Sequence, residues 1–284
     1  MGTPPADFSR NSDHESSRVP PVEPAKSDMA RRPFSHRLAL DLLVPLLTLA
    51  LFSVAADHGP HWSYSGATGP DHWGTLEEDY SSCAVGTRQS PIDIRDNLAA
   101  KDDLPPIEFH YKPAGLKIID NGHSIQINYE PGSFINVGGR RYELVQFHFH
   151  KPSEERVNGK AYDMVAHLVH RDQEGKLTVV AVLLKKGNAN SLIGTLWDNI
   201  PRQKGSEQAP GVRIDASGLI PENTSYYTFS GSLTTPPCSE GVTWFVLRDP
   251  ATLSAEQIAR FAQAYPMNAR PVQPLNDREV RASR

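Results

Sequence analysis

From Ile107 to Lys185 the chain alternates apolar and polar residues with a period near two, interrupted by Gly, Pro, Asn and Asp. Side chains two apart in an extended chain share a face, so this pattern predicts short strands. They fall at Ile107–Tyr111, Leu116–Ile119, His123–Tyr129, Phe134–Val137, Glu143–His150 and Asp163–His170. Leu177–Lys185 reads L-T-V-V-A-V-L-L-K, an almost continuous apolar run that marks a strand covered on both faces. Helical spacing is scarce. Asn190–Ile200 carries Leu192, Leu196 and Ile200 at helical intervals, and Ser254 opens an S-x-x-Q capping box ahead of Ile258, Phe261, Ala262 and Tyr265. No repeat of 20–50 residues is visible. The pattern predicts one mixed, mainly β domain with a few short peripheral helices.

The two runs inside Gln146–His170 do more than fill a core. Gln146, His148 and His150 share one strand face, while Phe147 and Phe149 take the other. A turn at Asn158-Gly159 follows. The next run sets Val165, His167 and Val169 against Met164, Ala166, Leu168 and His170. Antiparallel pairing of the two runs would bring His148, His150 and His167 to one point. Three imidazoles on rigid strands, with a fourth position open, are what a catalytic zinc requires.

Composition narrows the partners. The 284 residues are 38% hydrophobic and 22% charged with net charge −4, too mild a balance to suggest a nucleic-acid partner. The 20 glycines and 24 prolines favour a loop-rich β protein over a helical bundle. Cys83 and Cys238 fit no metal-binding spacing; they would pair in an exported protein and stay free in the cytosol. Residues 1–28 are too polar to build a core and read as disordered or as an over-extension upstream of a true start at Met29. Residues 29–56 combine a basic flank, an apolar run from Leu38 and the small-residue end Val54-Ala55-Ala56, which predicts a signal peptide cleaved near Ala56. Arg31-Arg32-Pro33-Phe34 resembles a twin-arginine signal, so both general and twin-arginine export stay open. Asp41 and Pro45 interrupt the run and argue against a membrane span, leaving 57–284 as the exported domain.

Beyond the histidines, several motifs resemble one family. They are His61-Trp62-Ser63-Tyr64-Ser65-Gly66, Gly69-Pro70-Asp71-His72-Trp73-Gly74, Gln89-Ser90-Pro91-Ile92-Asp93-Ile94 and Ser232-Leu233-Thr234-Thr235-Pro236-Pro237. Together with Q-F-H-F-H they are similar to the α-class carbonic anhydrases, in their bacterial exported form. The resemblance implies a single domain with a large central twisted sheet and zinc in a conical cleft. It also implies reversible hydration of carbon dioxide to bicarbonate and a proton, by zinc-hydroxide attack with a histidine proton shuttle. The metal ligands would be His148, His150 and His167. Thr234 would accept from the zinc-bound hydroxide and donate to an ionised Glu154, and Thr235 would help place bicarbonate. Val169, Val179, Leu233, Val242 and Trp244 match the pocket lining.

His123, in Asn121-Gly122-His123, matches the shuttle, since a histidine titrating near 6.5 is suited to relay a proton. Tyr64, Asn121 and Gln126 would order the intervening waters. Cys83 and Cys238 sit where exported members carry a disulfide. The partner implied is the small substrate, carbon dioxide or bicarbonate, with no nucleic acid and no stable membrane span after cleavage; a homodimer stays open. The location implied is periplasmic or secreted. A non-catalytic, carbonic-anhydrase-like binding module is the alternative.

The match breaks at two places. Many members carry Glu two residues before the third ligand, where this chain has Val165. Many also carry His directly after the glutamate that matches Glu154, where this chain has Glu155. The paired change leads to the expectation that Glu155 accepts the free ring N–H of His167.

Overall fold

Seven strands of the computed structural model, which describes residues 61–284, carry the site. They are β1 (Lys117–Asp120), β2 (Ile125–Asn128), β3 (Arg140–His150), β4 (Met164–Arg171), β5 (Leu177–Lys186), β6 (Tyr226–Ser232) and β7 (Glu240–Leu247). The expectations for residues 1–28 and 29–56 lie outside the described residues. Within one mixed 13-stranded sheet the order is β1-β2-β3-β4-β5-β7-β6, extended at its edges by shorter strands. β4 runs antiparallel to both β3 and β5, whereas β5 and β7 are parallel. The domain is mainly β, as its periodicity predicts.

Burial explains the two kinds of pattern. β4 is buried at every position from Met164 to His170, and β5 from Thr178 to Leu184. These central strands are covered on both faces, so they read as apolar runs. One face joins Phe147, Phe149, Met164, Ala166, Leu168, Val180 and Val182 in the larger core. The other joins Val165, Val169, Val179, Val242 and Trp244 with Ile92 and Ile94 in a smaller cluster. A one-residue slip of β4 would exchange the two sets, so the apolar pattern itself fixes the register that presents His167.

The structure departs from the expected elements where turn chemistry or polarity masks the period. β2 begins only at Ile125, because Asn121 Oδ1 accepts from the backbone N–H groups of His123 (2.9 Å) and Ser124 (2.7 Å). That side chain folds the chain back around Gly122, at φ 87°. β3 begins earlier than expected, at Arg140, since Gly138 and Gly139 (φ 57° and 78°) form a tight turn that pairs the polar Arg140-Arg141 with the preceding strand. β6 and β7 are absent from the expected set although they flank the Thr234–Pro237 loop. The one-turn helices Trp73–Leu76 and Ser82–Val85 lie outside the expected elements. α1 (Ser191–Asp198) and α2 (Ala255–Ala264) appear as expected, α2 with both hydrogen bonds of its capping box.

Two features brace the loop between β6 and β7. Cys83 and Cys238 form a disulfide with 5.0 Å between Cα atoms, tying the loop to the N-terminal helices. Gly231 stands opposite Val242, and a Cβ there would meet Ser90 Oγ at 2.1 Å and Trp244 Cδ1 at 2.8 Å, so only glycine lets Trp244 pack against β6. Among the described residues no helix is long and apolar enough to cross a membrane.

Candidate metal centre

Register places the histidines. His148 on β3 stands directly opposite His167 on β4, and His150 follows two residues along the same face. Ring centroids lie 5.5 Å apart for His148 and His167, 4.8 Å for His150 and His167, and 5.0 Å for His148 and His150. One ring nitrogen from each falls within a 4.8 Å cluster. His150 and His167 are about 1% exposed, and His148 is partly buried.

The second ring nitrogen of each histidine is already engaged, which decides which one is free. His148 Nδ1 donates to Gln146 Oε1 at 2.8 Å. His150 Nδ1 donates to the carbonyl oxygen of Asn268 at 2.7 Å. His167 Nε2 donates to Glu155, at 3.0 Å from Oε1 and 3.2 Å from Oε2. Carbonyl and carboxylate oxygens only accept, so the leftover atoms are Nε2, Nε2 and Nδ1. His150 Nε2 is buried without any hydrogen-bond partner in the protein. Three neutral nitrogen donors with their outer N–H groups anchored fit a zinc ion.

Electrostatics favour the neutral, donating form of His148 and His150. Burial, with the neighbouring His167, pulls His148 down to about 3. Burial, then His167 and His148, holds His150 well below the usual histidine range. Burial also opposes charge on His167, but the adjoining Glu155 carboxylate, its hydrogen bond and Glu154 outweigh it and raise that ring.

Glu154 lies in the loop after β3, 3.5 Å from His150 Nε2 and 3.8 Å from His167 Nδ1 through Oε2. Its Oε1 accepts the backbone N–H of Arg270 at 2.8 Å. Burial lifts the carboxyl to about 7; His167 opposes this, Glu155 adds to it, and the Thr234 hydroxyl and Arg270 N–H draw it back. Thr234 is 5% exposed beside it.

An apolar wall continues the row. In neighbouring-strand register Val169 stands beside Val179, and Val179 beside Trp244. All three are buried with Val242, and Leu233 packs against the same cluster. The Trp244 ring meets His167 edge-on at 4.9 Å, so the wall reaches the centre itself. Thr235 is half-buried and accepts the N–H of Cys238 through its carbonyl oxygen, at 2.8 Å.

The remaining expected residues differ in their surroundings. Gln126 stands opposite His148, accepts from Asn121 Nδ2 at 3.2 Å and donates to Asn128 Oδ1 at 2.7 Å. The hydroxyl of Tyr64 is buried without a protein partner, and burial followed by Glu154 raises it well above its usual value. His123 makes its ring contacts with Trp62, stacked at 3.6 Å and 7°, and with His61, rather than with the three convergent rings. Burial, then His61 and Lys204, lowers its pKa below the ordinary 6.5 expected from the sequence.

Three supporting residues escaped the sequence reading as site residues. Gln146 was legible, since it shares the ligand face two residues before His148. Asn268 was not, because its backbone carbonyl anchors His150 and a backbone atom leaves no signature in residue type. Arg270 was equally silent: buried against Gln89, Ser90 and Cys83, it offers Glu154 a main-chain N–H.

Comparison with known proteins agrees with this geometry. Residues 68–284 match the family described as eukaryotic-type carbonic anhydrase. A carbonic anhydrase from a Nostoc species is 42% identical over 260 residues, covering 89% of this chain and 98% of that protein. The α-carbonic anhydrase of Thermovibrio ammonificans, solved with the inhibitor sulfanilamide, superposes with a TM-score of 0.76 at 44% identity, covering 80% of this chain and 100% of that one. Dioscorin DB3S from Dioscorea polystachya is 35% identical over 246 residues, covering 83% of this chain and 91% of that protein. The match over most of both lengths, on a sheet that carries the histidine trio, shows that the chain belongs to the α-class, or eukaryotic-type, carbonic anhydrases.

Proposed function

We propose that this chain interconverts carbon dioxide and bicarbonate, with release or uptake of a proton, at a zinc ion held by His148, His150 and His167. The observation that carries the reading is the convergence of three imidazoles whose outer nitrogens all have acceptors. Bound zinc would supply a water acidified to about 7, the value long associated with carbonic anhydrases as a class, and hence a nucleophile at neutral pH.

The chain's own residues do the rest. Thr234 donates its hydroxyl proton to ionised Glu154, which leaves only lone pairs on the threonine oxygen. A nucleophile bound there must donate to Thr234, and its own lone pair is thereby aimed at the substrate. Val169, Val179, Leu233, Val242 and Trp244 offer carbon dioxide a dry wall, while Thr235 assists in placing bicarbonate. The proton leaves through waters held by Tyr64, Asn121 and Gln126 to His123, which passes it to buffer.

We read residues 29–56 as an export signal and 57–284 as the mature domain, acting in the periplasm or outside the cell. The disulfide supports an oxidising compartment. The likeness to dioscorin favours one other reading, a binding module on the same scaffold. Zinc content and stopped-flow hydration of carbon dioxide distinguish the two: one zinc per chain with rapid hydration is expected, and stoichiometric zinc without hydration overturns the proposal.

A further inference from the structure

His167 has no polar neighbour within the sheet that could receive its outer N–H. On its own strand face the flanking side chains are Val165 and Val169, and across the strands its register partners are Ala181 and His148. Val165 is fully buried in the apolar cluster with Ile92 and Ile94. A ring with an unanchored N–H can adopt either tautomer and rotate, and then its Nδ1 is not reliably presented. The acceptor must therefore come from outside the sheet.

It comes from the loop after β3. Glu155 has no solvent exposure, and both of its oxygens lie within hydrogen-bond reach of His167 Nε2. A carboxylate so deeply buried is costly unless a partner compensates it. The loop is built to hold it there. Ser153 Oγ donates to the Glu155 carbonyl at 2.7 Å and accepts the Tyr162 N–H at 2.9 Å, while Ser153 N–H donates to the Tyr162 carbonyl at 3.1 Å. On the other side, the Arg270 N–H pins Glu154. Consecutive residues thus serve different partners: Glu154 faces Thr234 and Arg270, and Glu155 faces the third ligand.

We infer that Glu155 is the positioning residue of His167: it fixes the tautomer that exposes Nδ1 to the metal, and it does so from the loop after β3 rather than from β4. The inference rests on the zinc reading above. It joins retention of the metal and orientation of the nucleophile in one dipeptide, so a disturbance of the 153–155 loop reaches both. Val165, two residues before His167 on β4, belongs to the apolar cluster and offers no acceptor.

The test measures zinc release into excess chelator from the purified holoprotein, with circular dichroism reporting the fold of each variant. Glu155→Ala is expected to release zinc about 10–100-fold faster than wild type. Glu155→Gln keeps the shape and one accepting oxygen and is expected to fall between the two. Glu155→His combined with Val165→Glu moves the carboxylate to β4 and is expected to retain zinc within about threefold of wild type, whereas Glu155→His alone is not. A purely structural role would lower the melting temperature of the metal-free protein and leave zinc release unchanged. Folded Glu155→Ala or Glu155→Gln releasing zinc at the wild-type rate overturns the inference. A wild-type protein that binds no zinc overturns the zinc reading instead, so the two failures are distinguishable.

Discussion

The two faces of β3 and β4 are cut from the same residues of chain yet do different work. Phe147 and Phe149 point into a closed apolar core, where Phe149 packs on Trp197 and Phe261 from the two helices. His148 and His150, one residue along in each case, point to the other side with His167. Histidine occurs on both faces of β4, and the contrast is instructive. His170 is fully buried among apolar residues, bonds Tyr111 Oη at 2.8 Å and is pushed down to about 3 by burial. Its Nδ1 is buried without a hydrogen-bond partner among the described residues, and it stands apart from the three-histidine cluster. His167, three residues earlier, meets two other imidazoles and two carboxylates. Neither residue type nor burial separates them; the imidazoles and carboxylates gathered around His167 do.

The sharpest way to break the comparison is to alter adjacent residues on opposite faces. His148→Ala removes a proposed zinc ligand and is expected to abolish hydration down to background with little loss of stability. Phe147→Ala is expected to cost about 3–5 kcal/mol of stability while each folded molecule keeps its zinc and its rate. Urea denaturation beside zinc analysis and stopped-flow hydration would separate these outcomes. Equal losses of stability and activity in both variants would mean that the faces are not independent.

The disulfide tests whether the metal face draws on support from beyond the sheet. It spans 155 residues, so the chain-entropy estimate approaches about 5 kcal/mol, with smaller values common in practice. Cys238 follows Pro237 directly, in a left-handed conformation at φ 57°. Reduction, or Cys83→Ser with Cys238→Ser, is expected to lower the melting temperature and the hydration rate together. Unchanged melting in strong reductant would remove the bond from the list of supports.

Thr234→Ala probes the orientation that the metal face alone supplies. It should leave zinc content intact and lower kcat/KM roughly a hundredfold, the scale of a misaimed reacting group. The fold should be unaffected, because Thr234 sits outside the larger core. A rate within twofold of wild type would assign the hydroxyl no aiming role.

How much of this was legible beforehand follows from the same contrast. Alternation fixed β3, β4 and β5 and thus the convergence of the histidines, because their register is set by a core that tolerates no slip. The outer strands β6 and β7 were missed as strands, even though Val242, Trp244 and the Thr234–Pro237 loop were singled out. The polar and glycine-containing run Tyr226–Ser232 hides the period of β6, and β7 is a largely apolar run without clear alternation. The anchors of the ligands divide in the same way. Gln146 and Glu155 could be reached from residue type, whereas the Asn268 carbonyl and the Arg270 N–H are main-chain groups delivered by long-range folding. Position effects such as the lowered pKa of His123 belong to neither pattern, since they arise from Trp62, His61 and Lys204 brought in from distant segments.

His123 therefore gives the smallest and most conditional effect. It lies outside the three-ring cluster, half-buried against Trp62, so its loss should not touch zinc content or stability. His123→Ala is expected to lower kcat about tenfold at low buffer, less than a direct general acid or base would cost, because water remains a slower acceptor. Concentrated imidazole buffer should restore the rate by replacing the lost acceptor. The pH dependence has a definite sign. Burial, His61 and Lys204 disfavour the protonated ring, so the neutral acceptor persists to lower pH than an ordinary histidine at 6.5 would allow. The shuttle-dependent part of kcat for hydration should accordingly be half-maximal below pH 6.5, and Trp62→Ala should move that midpoint upward by exposing the ring. A midpoint at or above 6.5 in the wild type, or a His123→Ala defect that persists in concentrated buffer, would place the proton exit elsewhere.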